Sequence, residues 1–118
     1  MKQPQGEVTC RKDGIFLLID APHALRSIDT EGAVPGIVVA RYVDVSQHLL
    51  SRVCPDRIVA PLFGRDFDAH ELLTRLRRLS WAGRVDILLP ELPRPAAVEE
   101  ELCGIAGGCE LHFIRQAW

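Results

Sequence analysis

The chain has 118 residues, 47% of them apolar types and 25% charged, with a formal net charge of −2. That length suits one domain over residues 1–118, burying roughly two-thirds of the surface its unfolded chain exposes, and the composition excludes disordered and fibrous classes. The near-neutral balance excludes broad electrostatic capture of nucleic acid or of an anionic membrane, and no apolar run approaches the roughly 18 residues of a bilayer span.

Residues 1–11 read as a polar N-terminal arm. Met1–Cys10 lacks the apolar core of a secretory signal, so the expectation is a soluble cytoplasmic protein. Two readings of Glu7–Arg11 stay open. Val8 and Cys10 alternate with polar residues ahead of the turn signal Lys12-Asp13-Gly14, which suits a hairpin into the next strand. If that next strand is central in a parallel sheet, however, both its edges are already taken.

Gly14–Asp20 is a continuous apolar run ending in an acid, the pattern of a strand covered on both faces. Ala21–Gly36 must then hold a crossover, with room only for a short helix around His23–Ile28. Ile37–Ala40, extending toward Val43, reads as a second strand. Asp44-Val45-Ser46-Gln47 has the form of a capping box, with Leu49, Leu50 and Val53 following on one helical face and Pro55 ending the helix. Arg57–Leu62 is a third strand. Asp68-Ala69-His70-Glu71 repeats the capping logic, and Ala69, Leu72, Leu73, Leu76 and Leu79 then form a stripe that faces a sheet. Val85–Leu89 is a fourth strand. A helix opens at Pro95, turns Val98, Leu102 and Ile105 inward, and closes at Gly107-Gly108. Leu111–Ile114 is the fifth strand. Strands alternating with amphipathic helices imply βαβ units, right-handed crossovers and a parallel sheet.

Within this frame, Phe16–Leu25 resembles the opening strand of bacterial response-regulator receiver domains, which ends in a pair of acids. Pro55–Leu62 resembles the third strand of that family, and Gly83–Leu89 the fourth. Asp68–Leu73, running into Leu76–Arg78, is similar to the start of the helix between them. Order and spacing agree over residues 15 to 115. The resemblance implies an α/β fold of three layers, α/β/α, around a five-stranded parallel sheet in the receiver or flavodoxin-like order 2-1-3-4-5, with its switch point between strands one and three. Receivers continue into a further helix, whereas this sequence stops a few residues after strand five, so the implied fold is truncated before the last helix.

Receivers accept a phosphoryl group on an aspartate at the end of strand three, beside Mg²⁺, a hydroxyl after strand four and a lysine after strand five. The alignment places Pro61 at the nucleophile position, and no Asp or Glu occurs between Arg57 and Arg65. Of the acid pair only Asp20 remains, with Ala21 beside it, and a single carboxylate is a poor Mg²⁺ site. The hydroxyl position falls at Pro90, inside a stretch from Trp81 to Trp118 without Ser or Thr. Of 14 basic residues 12 are Arg, and no Lys follows Lys12; Arg115 is the basic residue nearest the lysine position. Asp20, Ala21, Pro61 and Pro90 therefore mark a degenerate phosphorylation site. The expectation is a non-catalytic pseudo-receiver without metal or cofactor, acting in signalling through protein contacts.

Other candidates compete with that reading. Ligands bind at the carboxyl ends of strands in open α/β sheets, so the crevice near Asp20 and Pro61 suits a small-molecule binder or enzyme, while Asp20 also suits a cap or loop acid. Phe63, Arg65 and Phe67 form a candidate interaction loop, though one Phe at this place also suits a staple for the following helix. Arg65, Arg75, Arg77 and Arg78 could touch the phosphates of a nucleic acid, but with acids interleaved in the same segment and a net charge of −2 they read as a solvated helix face. Cys10, Cys54, Cys103 and Cys109 lack C-x-x-C spacing and read as free thiols, and there is no phosphate-binding glycine motif. A receiver-like sheet without its last helix would leave apolar area wet. A homodimer or a partner protein is expected to cover it, with folding back of the N-terminal arm as the alternative.

Overall fold

The computed structural model describes residues 14–20 and 36–115. The arm over 1–11, Ala21, the short helix around His23–Ile28, Cys10 and Trp118 lie outside the described residues. The strands are β1 (Ile15–Ile19), β2 (Gly36–Ala40), β3 (Arg57–Pro61), β4 (Arg84–Leu89) and β5 (Glu110–Arg115), and the helices are α1 (Gln47–Val53), α2 (Ala69–Arg78) and α3 (Pro95–Ile105). All four ladders are parallel and the sheet order is β2-β1-β3-β4-β5, the flavodoxin-like arrangement expected from the sequence. The reversal of order between β1 and β3 opens a crevice at the carboxyl ends of these strands.

Helix starts follow their caps. In α2, Asp68 Oδ1 accepts from the Glu71 N–H at 2.8 Å, and Glu71 Oε1 accepts from the Asp68 N–H at 3.2 Å, which completes the capping box. The α1 cap corrects the sequence reading. Ser46 Oγ takes the Leu49 N–H at 3.1 Å, while Asp44 lies within a 3-10 turn over Tyr42–Asp44. That turn, closed by Asp44 N–H to the Arg41 carbonyl and Val45 N–H to the Tyr42 carbonyl, also stops β2 at Ala40. Val43 is therefore exposed in a turn and not part of the strand.

Alternation along the strands sends side chains to two faces. On one, Leu17, Ile58, Val85 and Ile87 pack with Leu50 of α1, Leu72 and Leu76 of α2 and Leu102 of α3. On the other, Phe16, Leu18, Val59 and Leu88 form a separate cluster, with Ile114 half-buried against it. Leu18 and Val59 are fully buried, so the expected wet area is narrower on these strands, and among the described residues the exposed large apolar side chains of this face are Ile37 and Val39, at 37% and 52%. Both sit on β2, which pairs with β1 and is the edge strand of the sheet among the described residues.

Candidate functional site

Asp20 follows β1 with φ 54°, a left-handed conformation that aspartate tolerates better than most residues. Its N–H donates to the Ala40 carbonyl at 2.8 Å, extending the β1–β2 ladder by one bond. The bend turns the side chain across the crevice, where Oδ2 accepts from the Arg65 N–H at 2.8 Å. Of the readings open for Asp20, the geometry is that of a loop acid: its carboxylate ties the β3–α2 connection to the end of β1.

Asp20, Pro61, Phe63, Arg65 and Pro90 come together around a shallow cavity of about 250 Å³. Its remaining lining, Leu62, Gly64 and Leu88, adds no polar side chain. Leu62 N–H donates to the Leu88 carbonyl at 3.0 Å, which holds the ends of β3 and β4 together just beneath the two prolines. The chemistry available here is one carboxylate, already accepting a hydrogen bond, and one guanidinium. Neither the Pro61 nor the Pro90 side chain carries an atom able to attack, coordinate or donate. Arg115 does not enter this cavity; its guanidinium reaches Glu99 Oε2 on α3 at 3.5 Å.

The interaction-loop candidates separate. Phe63 is 67% exposed and Arg65 is exposed, but Phe67 is buried and belongs to the helix-side core. Phe67 therefore leaves the set of surface candidates. The glycine between these aromatics is what admits the Phe67 ring: a Cβ on Gly64 would lie 2.2 Å from Phe67 Cε1. Phe67 stacks on Tyr42 with centroids 4.7 Å apart and planes 9° from parallel, and the Arg75 guanidinium sits 4.4 Å from the Tyr42 ring centre. Tyr42 thus meets both an aromatic ring and a cation. Arg75 Nη1 also donates to the Tyr42 and Val45 carbonyls, both at 3.3 Å. The solvated-face reading of Arg75 is thereby corrected, because the group anchors the 3-10 turn to α2. A second cavity of about 220 Å³ adjoins this stack, lined by Asp20, Arg41, Tyr42, Arg65, Asp66 and Phe67.

Asp86 is the charged residue that the apolar pattern of β4 concealed. Register places it between Val59 and His112 on the face of Leu18, and it is fully buried. Oδ1 accepts from Arg84 Nε at 2.8 Å. Oδ2 lies 3.4 Å from Arg57 Nη1, close enough to attract but not aligned as a hydrogen bond. The Arg57 guanidinium in turn lies 4.3 Å from the centre of the Phe16 ring. A sequence signal existed: Arg57 and Arg84 open their strands, and one acid interrupts the aliphatic run between Val85 and Ile87.

Cys54, Cys103 and Cys109 are free thiols, and burial pushes that of Cys109 above its ordinary value. Among the described residues, no cluster of three or more His, Cys, Asp or Glu side chains has the arrangement of a metal site, and no helix is long and apolar enough to cross a membrane. The chain matches no protein-family model and no curated protein.

Proposed function

We propose that this chain is a pseudo-receiver, a non-catalytic relative of the response-regulator receiver fold that works in the cytoplasm, in bacterial signalling, through contacts with other proteins. The observation that carries the reading is the composition of the switch-point crevice. A side chain without a reactive atom, Pro61, stands at the end of β3, another, Pro90, follows β4, and the Asp20 carboxylate is engaged by the Arg65 N–H. A phosphoryl acceptor, its metal and its stabilising hydroxyl would all have to be found there. The partner-facing side is the β2 flank of the second sheet face, where Ile37 and Val39 leave apolar surface in water, and a second copy or a partner protein suits it.

Incubation with acetyl phosphate and Mg²⁺, followed by intact mass spectrometry, tests the reading. The mass is expected to stay unchanged, and a species heavier by one phosphoryl group would overturn it. The small-molecule alternative has less support. Taken singly, the two cavities at Asp20, of about 250 and 220 Å³, fall below the roughly 300–1,000 Å³ of ordinary ligand pockets, and the carboxylate they share is already engaged by the Arg65 N–H.

A further inference from the structure

Beside the crevice, an apolar groove of about 180 Å³ runs between the β3–α2 connection and α3. Leu62, Leu92, Val98 and Leu102 line it together with Asp68, His70 and Glu101, and the Asp68 carboxylate is already engaged as the cap of α2. Phe63 rises at its rim with two-thirds of its surface in water, the most exposed large apolar side chain among the described residues. Two positions further on is Arg65, whose backbone is fixed by Asp20 while its guanidinium has no ion pair among the described residues. Glu101 is exposed and likewise has no ion pair among them.

These features are two halves of one recognition. An aromatic ring followed by a cation meets an apolar groove that carries the exposed Glu101 carboxylate beside His70, and both halves lie side by side on one chain. A two-fold axis beside the loop brings each Phe63 to the groove of the other copy and each Arg65 to the other copy's Glu101. Such isologous pairing closes at two subunits and needs nothing from the β2 flank. We propose that the Phe63 loop and the Leu62–Leu102 groove form the docking face for a second copy of this chain, leaving Ile37 and Val39 for a different partner. The proposal rests on the reading of the chain as an interaction module and assigns the copy to one face. A ring in a desolvated pocket dominates the affinity of such contacts, and a patch this small gives weak association, with Kd on the order of micromolar or above.

Sedimentation velocity of the full chain from about 5 to 500 μM tests it, with circular dichroism to check the fold of each variant. The wild type is expected to shift from monomer to dimer across that range. Phe63→Glu is expected to remain monomeric, and since the ring is exposed the fold stays intact. Arg65→Glu and Glu101→Arg are each expected to weaken the dimer tenfold or more, and the chain carrying both to recover it, because each altered charge then meets its opposite on the other copy. A Phe63→Glu chain that dimerises like the wild type overturns the proposal, and so does a double variant no stronger than the singles. A wild type that stays monomeric also overturns it. The non-catalytic reading is judged separately, by the phosphodonor experiment.

Discussion

On the face of the sheet that meets α1, α2 and α3, Leu17, Ile58, Val85 and Ile87 meet Leu72, Leu73 and Leu76, and every buried side chain of that cluster is apolar. On the opposite face the same strands carry Phe16, Leu18, Val59 and Leu88 next to a buried acid and two arginines. The first face draws its stability from close packing, which is non-directional and proportional to area. The second must satisfy a buried carboxylate, so the placement of Arg57 and Arg84 becomes a condition of folding, although the net gain from such pairs is small. Exposed apolar surface also belongs to this second face, at its β2 edge. The lesson is that one sheet keeps its packing reserve on one side and its constraints, and its proposed partner surface, on the other.

Substitutions that separate the faces should rank accordingly. Leu76→Ala removes a fully buried side chain from the first face and is expected to cost about 3–4 kcal/mol in urea unfolding; a loss under about 1 kcal/mol would mean that the helix layer is loosely packed. Arg57→Ala leaves the Asp86 carboxylate with Arg84 as its remaining described partner and is expected to cost about 2–3 kcal/mol, below the loss for a pair broken outright. An unchanged midpoint would show that Arg57 is dispensable to this face. Asp68→Ala strips the side-chain cap from the helix that shields the first face, for an expected loss of about 1 kcal/mol. Val39→Thr alters the exposed edge and is expected to leave unfolding within about 0.5 kcal/mol of the wild type. A larger loss there would show that Val39 is packed in solution, and the contrast between the faces would shrink.

Much of the architecture was legible because it depends on neighbours in sequence. The apolar runs gave five strands, the stripe from Ala69 to Leu79 gave α2 its inner face, and Asp68 with Glu71 marked its start. The strand order came from the resemblance to receivers, since periodicity alone does not order strands. What escaped depends on residues distant in the chain. Arg75 reads as one more surface cation until it meets the Tyr42 carbonyl 33 positions away. Phe63 and Phe67 are alike in sequence, and only the packing of Tyr42 decides which is buried. Asp86 is absorbed into the aliphatic run of β4: its hydrogen-bonding partner Arg84 stands only two positions away, but the second charge, Arg57, comes from the neighbouring strand. Asp44 offers the same capping chemistry as Ser46, and the 3-10 turn decides between them.

The stack of Phe67, Tyr42 and Arg75 has a practical consequence, because Tyr42 is the single tyrosine of the chain. Its ring lies against another aromatic and lines the cavity beside Asp20. Ring-current shifts from Phe67 therefore fall on one unambiguous set of tyrosine proton resonances. An unlabelled proton NMR titration can follow that set. Any occupant of the crevice, or any loosening of the β3–α2 connection, would register there as a displacement of one spin system, so the molecule carries its own probe of the crevice at Asp20.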